Sequence, residues 1–265
     1  MKMRSSTVLL ALAVLGLLLL SACGKKEEQA SNQQEQKAAT ATAAATPIDQ
    51  ATVGSVSGVV KYAGTAPKAA KIDMSQDPAC KGSNTAETLV VNGGNLENAF
   101  VYVKDGLGSR TFDVPKEAVT VDQQGCRYHP HVVGVMTGQP FKVLNSDPTT
   151  HNIHPTPKDN REWNESQAPK APAIEKTFAR EEMMLPVKCN QHPWMKMYVN
   201  VLKHPYFAVT DKDGKYDLKG LPPGDYTIAV VQEKLGEQTQ KVTVGAKESK
   251  TVDFNYKPGG AGASQ

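Results

Sequence analysis

The chain has 265 residues, of which 39% are hydrophobic and 6% aromatic, with a formal net charge of +3. That near-balance argues against nucleic acid as a partner. The chain has no Cys-x-x-Cys-His and no glycine-rich phosphate loop, which excludes covalently attached haem and that mode of phosphate binding.

Lys2 and Arg4 precede an apolar run from Val8 to Leu20, followed by Ser21-Ala22-Cys23. A charged start and a short apolar core describe a secretory signal over residues 1–22, too short for a comfortable membrane span. Leu20-Ser21-Ala22-Cys23 resembles a bacterial lipobox. That resemblance implies a lipid on Cys23 and a place on the periplasmic face of a bacterial membrane, with the outer membrane favoured. An ordinary signal peptide that happens to contain a cysteine is the plainer alternative. Loss of the signal removes two of the 30 basic side chains and leaves 28 against 27 acidic ones. Residues 23–51 read as a flexible linker, since 25–50 contain no aromatic residue and cannot bury enough surface to offset ordering. As a coil, about 27 such residues reach roughly 30 Å.

From Val53 onward the pattern is all-β: short runs rich in Val, Tyr, Phe and Thr between Gly, Pro, Asn and Asp clusters, with no long 3.6-residue stripe. Expected strands are Ser55–Tyr62, Ala99–Lys104, Ala118–Asp122, His131–Met136, Phe141–Leu144, Met183–Cys189, Met197–Leu202, Phe207–Asp211, Tyr216–Leu218, Tyr226–Gln232, Lys241–Val244 and Ser249–Tyr256. Met183, Leu185, Val187 and Cys189 share one face by the period-two rule, as do Met195, Met197, Val199 and Val201. Cys189 and Met195 therefore end two neighbouring strands, with His192 at the tip of the loop between them. His151 follows the Phe141–Leu144 strand in the loop after Asn145-Ser146-Asp147-Pro148.

One thiolate, two imidazoles and a thioether thus converge from Cys189-Asn190-Gln191-His192-Pro193-Trp194-Met195 and His151-Asn152-Ile153-His154. This is the donor set of a blue-copper site, with two His and a Cys in a plane and a weak axial Met. Taken singly, each residue is more ordinary as structure: Cys189 as a buried thiol, His151 as loop, Met195 as core. Met197 rivals Met195 as the axial donor, but its phase suits the core below. Cysteine accounting agrees. In an oxidising compartment, pairing Cys80 with Cys126 leaves Cys189 for metal; two free thiols remain the alternative.

Cys189-x-x-His192-x-x-Met195, with Tyr128 through His154, resembles the plastocyanin/amicyanin-like cupredoxins over roughly residues 117–203. The resemblance implies a Greek-key β-sandwich and one type 1 copper, with His151, Cys189 and His192 equatorial and Met195 axial. It also makes Asn152 a hydrogen-bonding residue between the ligand loops. Phe207-Ala208-Val209-Thr210-Asp211, Gly214-Lys215-Tyr216 and Leu221-Pro222-Pro223-Gly224-Asp225-Tyr226-Thr227 resemble the carboxypeptidase regulatory-like β-sandwich, and Gly54–Lys61 its first strand. Proteins combining these modules are expected to carry Trp-His where this chain has Val231-Gln232 before Glu233. The expected division is a cupredoxin-like domain over 52–203, a second small sandwich over 204–257 with Gly54–Lys61 pairing into it, and a flexible tail over 258–265.

His129 and His131 read as a solvated strand edge beside the disulfide, His154 as surface or near the ligands, and Asp211-x-Asp213-Gly214 as a hairpin turn. Pro193 and Trp194 would frame His192 as an apolar docking patch, unless Trp194 packs inward over the metal. The function expected is a membrane-tethered periplasmic carrier of single electrons, serving a redox protein such as a c-type cytochrome or respiratory complex. It is not expected to be an enzyme, because six scattered histidines do not supply a catalytic copper. A copper carrier or sensor using the same ligands, and a structural or binding sandwich with a vestigial site, are the alternatives.

Overall fold

The computed structural model describes residues 44–82 and 84–258. The signal segment, Cys23, most of the linker and all but the first residue of the tail lie outside the described residues. The protein is all-β, and among the described residues there is no helix long and apolar enough to cross a membrane.

Two cores organise the strands. The first lies between a sheet ordered Ile174–Lys176, Phe141–Asn145, Val119–Gln123, Tyr128–His129 and one ordered Glu165–Gln167, His151–Pro155, Glu182–Lys188, Lys196–Leu202, Val132–Met136. Their inward residues, including Val121, Phe141, Ile153, Leu185, Val187, Met197 and Val199, form one buried cluster that also holds Cys189 and Met195. Each fully buried Leu or Val contributes about 1.5–3 kcal/mol relative to exposure, so this alternation decides which face turns inward.

The second core lies between an antiparallel sheet, Phe207–Val209, Phe100–Asp105, Gly224–Gln232, Gly236–Val244, and a sheet built on Gly54–Tyr62. Gly54–Tyr62 pairs antiparallel with Lys215–Leu221 and parallel with Ser249–Thr251 and Phe254–Tyr256. The last two were expected as one strand. They part at Val252 and Asp253, where a Cβ on Gly58 would come within 1.9 Å of the Val252 carbonyl oxygen, so only glycine admits this approach.

The expected division at residue 203 does not follow the pairing. Gly54–Tyr62 pairs with C-terminal strands as expected, but Asn95–Glu97 and Phe100–Asp105 also precede residue 203 and pair with Gly54–Tyr62 or with C-terminal strands. The chain completes the second sandwich from both ends, with the first inserted between. Phe100, Tyr102, Val132, Leu202 and Ala229 form a third buried cluster joining the two.

Met183 departs from the expected phase. Its strand carries a register shift between Glu182 and Leu185, with Met184 at φ 51°, so an extra residue is accommodated and alternation restarts at Leu185. Met183 then packs against the inter-sandwich cluster, while Leu185, Val187 and Cys189 stay inward.

Candidate metal centre

Cys189 leaves the Glu182–Lys188 strand and enters a tight turn that returns at Met195. The Met195 amide donates to the His192 carbonyl at 2.9 Å, and the Cys189 amide donates to the Met195 carbonyl at 3.3 Å. His151, expected in a loop, opens the strand His151–Pro155, which pairs with Glu165–Gln167 and Glu182–Lys188. These neighbours hold its backbone in register beside Cys189.

His151, Cys189 and His192 are 0%, 2% and 4% exposed, and one donor atom from each lies within 4.8 Å of the others. Cys189 Sγ is 3.6 Å from His192 Nδ1, and the two Nδ1 atoms are 2.9 Å apart. The outer nitrogens face carboxylates: His151 Nε2 meets Asp147 Oδ2 at 2.8 Å, and His192 Nε2 meets Asp77 Oδ2 at 2.9 Å. A carboxylate only accepts, so each Nε2 carries the proton. In neutral rings both Nδ1 atoms then present lone pairs to one another, an arrangement that calls for a cation between them. Burial pushes the pKa of His151 down, against the opposing pull of Asp147, and so disfavours a second proton on that ring.

The donor chemistry fits a soft-to-borderline transition metal. Donors around one such ion, with bonds of about 2.0 Å to nitrogen and 2.3 Å to sulfur, stand roughly 3.3–3.8 Å apart. The sulfur–nitrogen separation already lies in that range, and the two rings need part by only about half an ångström.

Asn152 bonds to the Cys189 turn from the His151 strand. Its Oδ1 accepts from the Asn190 amide at 2.7 Å and the Gln191 amide at 3.4 Å, and from the Cys189 thiol at 3.2 Å. Its own backbone amide donates to Cys189 Sγ at 3.5 Å, and its Nδ2 to Asn164 Oδ1 at 2.7 Å. Tyr128 donates its hydroxyl to the Asn152 carbonyl at 2.6 Å, and burial above all pushes its pKa up. Met195 and Met197 are both buried in the cluster with Cys189, and Met195 alone belongs to the ligand turn.

Cys80 and Cys126 form a disulfide, leaving Cys189 as the free cysteine among the described residues. The bridge borders the site: Cys80 Sγ groups with Asp77 and His192, and Cys126 Sγ with Asp147 and His151. Gly125 and Cys126 have φ of 63° and 56°, successive left-handed residues that turn both amides onto Asp147, at 2.6 and 2.7 Å.

Several expectations are corrected. His192 does not reach the surface, because Asp77 covers its outer edge. Pro193 is exposed, but Trp194 is half-buried, its ring centroid 5.1 Å from that of His192 and its Nε1 donating to the Cys126 carbonyl at 3.1 Å. The inward alternative for Trp194 therefore describes its position. His129 is exposed, whereas His131 is buried between Glu233 Oε1, at 2.6 Å, and the Lys196 carbonyl, at 3.1 Å, so the pair is not one solvated edge. His154 lies outside the donor set, bonded to Asn190 and Glu162. Asp211 does cap its turn, accepting the Asp213 and Lys215 amides at 2.9 Å. Asp77 and Asp147 were not singled out in the sequence. Both stand immediately before proline, in Asp77-Pro78 and Asp147-Pro148, the two Asp-Pro pairs of the sequence, and Asp147 lies four residues before His151, so a local signal was present.

The carboxypeptidase regulatory-like domain family matches residues 193–257. That span begins inside the ligand turn and takes in Lys196–Leu202, a strand of the first sandwich. No curated protein matches the chain. Among solved structures, similarity to copper proteins is weak. A copper-containing nitrite reductase (NirK) from Thermus scotoductus SA-01 aligns over 37% of this chain at 18% identity and a TM-score of 0.31, and the chain spans 25% of that protein's length. A purple cupredoxin from Nitrosopumilus maritimus aligns over 31% of this chain and 97% of its own, at 19% identity and a TM-score of 0.27. A reduced, Cu(I) amicyanin variant aligns over 38% and 97%, at 22% identity and a TM-score of 0.29.

Proposed function

We propose that the chain holds one copper ion through His151 Nδ1, Cys189 Sγ and His192 Nδ1, with Met195 as the axial donor, and carries single electrons. The observation that supports this most is the pair of buried Nδ1 atoms facing each other at 2.9 Å beside a buried free thiol. Copper supplies one-electron exchange between its Cu(I) and Cu(II) states. The residues supply stiffness: Asp147 and Asp77 fix the rings, and Asn152 ties the Cys189 turn to the His151 strand. Donors held in this way move little when charge changes, and such surrounding bonds tune a metal's potential.

In this reading the lipidated Cys23 tethers the protein to the periplasmic face of a bacterial membrane, and its partner is a redox protein such as a c-type cytochrome or respiratory complex. The chain acts as a carrier and not as an enzyme. The covered edge of His192 favours a second reading, a copper carrier or sensor, because it removes the exposed imidazole a redox partner would use.

Copper titration of the full chain in detergent tests both. One equivalent taken up, an intense visible sulfur-to-copper band and reversible one-electron cycling are expected. Tight Cu(I) binding without a stable coloured Cu(II) form would replace the electron carrier with the copper handler. No uptake would end both.

A further inference from the structure

We propose that Asp77 is the positioning residue of His192, and that the Cys80–Cys126 disulfide holds it over the outer edge of that ring. The inference rests on the assignment of His192 as a metal ligand.

Asp77 belongs to no strand. The segment carrying it is fixed at its start by buried Met74, whose Sδ accepts from Asn84 Nδ2 at 3.0 Å, and at its end by the disulfide. Within the turn, the Asp77 amide donates to the Met74 carbonyl at 3.2 Å, and the Cys80 amide to the Asp77 carbonyl at 3.0 Å. The carboxylate is aimed by the Ala79 amide on Oδ1 and the Thr149 hydroxyl on Oδ2, both at 2.8 Å. Oδ2 then accepts the hydrogen bond from His192 Nε2 at 2.9 Å.

Two consequences follow from that one bond. The proton is held on Nε2, so the Nδ1 lone pair points at Cys189 and His151 instead of exchanging places with an N–H. The ring edge is also closed, leaving His192 4% exposed at the end of the sandwich.

The disulfide extends this control to the other ring. Cys126 is the residue whose amide, with that of Gly125, holds Asp147, and Asp147 holds His151 Nε2. One covalent bridge thus joins the turn behind Asp77 to the turn behind Asp147, although the two cysteines lie 46 residues apart. Both histidines are braced by carboxylates whose own supports are stapled together. Asp77 also places a negative charge beside the ring, which favours the more positive oxidised ion over the reduced one.

The test uses the full chain, with Asp77→Asn, Asp77→Ala and the double variant Cys80→Ser with Cys126→Ser. In the metal-free protein, nitrogen NMR of the His192 ring should show the proton on Nε2 in the wild type and in Asp77→Asn, whose amide oxygen accepts it from the Oδ2 position while its NH2 faces the Ala79 amide. Mixed tautomers are expected in Asp77→Ala. Copper affinity should fall 10–100-fold in Asp77→Ala and stay within a few-fold in Asp77→Asn, while the reduction potential rises in both. The double variant should resemble Asp77→Ala at His192. An Asp77→Ala ring with unchanged tautomer and unchanged affinity would overturn the inference. Failure of the wild type to take up copper would instead overturn the metal assignment, and the metal-free ring measurement would still decide what Asp77 does.

Discussion

Asn152→Ala separates the architecture of the ligand turn from the ligands themselves. The side chain supports the turn through Oδ1, on the Asn190 amide at 2.7 Å and the more distant Gln191 amide at 3.4 Å, and anchors itself through Nδ2 on Asn164 at 2.7 Å. The two short bonds count at about 1 kcal/mol each and the long one for little. Leaving the Asn190 amide without its acceptor adds to this, giving a loss of about 2–3 kcal/mol. For a folded body of roughly 200 residues that lowers Tm by about 4–12 °C. Copper affinity should fall about 10–100-fold, as when a partner of a ligand is lost. The visible band should survive, because the amide of residue 152 belongs to the backbone and still donates to Cys189 Sγ. Differential scanning calorimetry of the metal-free protein and a competitive copper titration measure the two losses. An unchanged Tm with unchanged affinity would refute the claim that Asn152 ties the two ligand segments together.

Cys189→Ser should abolish the visible band while leaving the β signal of circular dichroism intact, because the thiol is a ligand at the rim of a core already closed by Leu185 and Val187; loss of the fold would contradict this. Glu182 accepts from the Lys158, Asp159 and Asn160 amides and from Asn160 Nδ2. Burial pushes its pKa up, but these bonds outweigh burial and hold it below 4.5. Its stabilisation is therefore full above pH 4.5 and declines below it. Glu182→Gln, which sets an NH2 against donors, should cost about 2–3 kcal/mol and flatten the acid limb of a Tm–pH curve; an unchanged limb would refute this. Burial also pushes His204 below its ordinary 6.5, against a ring N–H bond to the Val103 backbone and the charge of Glu181. It is neutral in the fold, so stability falls as pH drops below 6.5, and His204→Gln should lessen that slope in the same measurement.

Local pattern made the ligand turn and its flanking strands legible, because alternation aims Leu185, Val187 and Cys189 inward from the sequence alone. The same rule failed at Met183, where a left-handed Met184 inserts a residue that no composition signal marks. His151–Pro155 was hidden for a different reason. It contains two histidines, an asparagine and a proline, and Ile153 is its one strongly β-forming residue; its strand character comes from partners on both sides. Glu237 to Gln240 were passed over because they are polar, which suits the outer strand of a hairpin partnered on one side by Gly224–Gln232. Asp77 meets His192 across 115 positions of chain, a contact that only the fold creates, whereas Asp147 lies four residues before His151 and that pairing was open to a local reading.

The same contacts weigh between the two copper readings. Handing copper to another protein requires at least one ring to swing away, which breaks its bond to a carboxylate. A hydrogen bond to a charged group contributes about 1.5–3 kcal/mol, and the lower end applies to Asp77, whose side chain is 22% exposed. Freeing one ring therefore costs about 1.5–3 kcal/mol, a retardation of roughly 10–10²-fold at tenfold for each 1.4 kcal/mol. Electron exchange requires no such release, since every donor stays in place. Bracing that slows departure of the ion weighs against the copper handler, while the covered edge of His192 weighs against electron exchange through that ring, so the copper titration decides between the two readings.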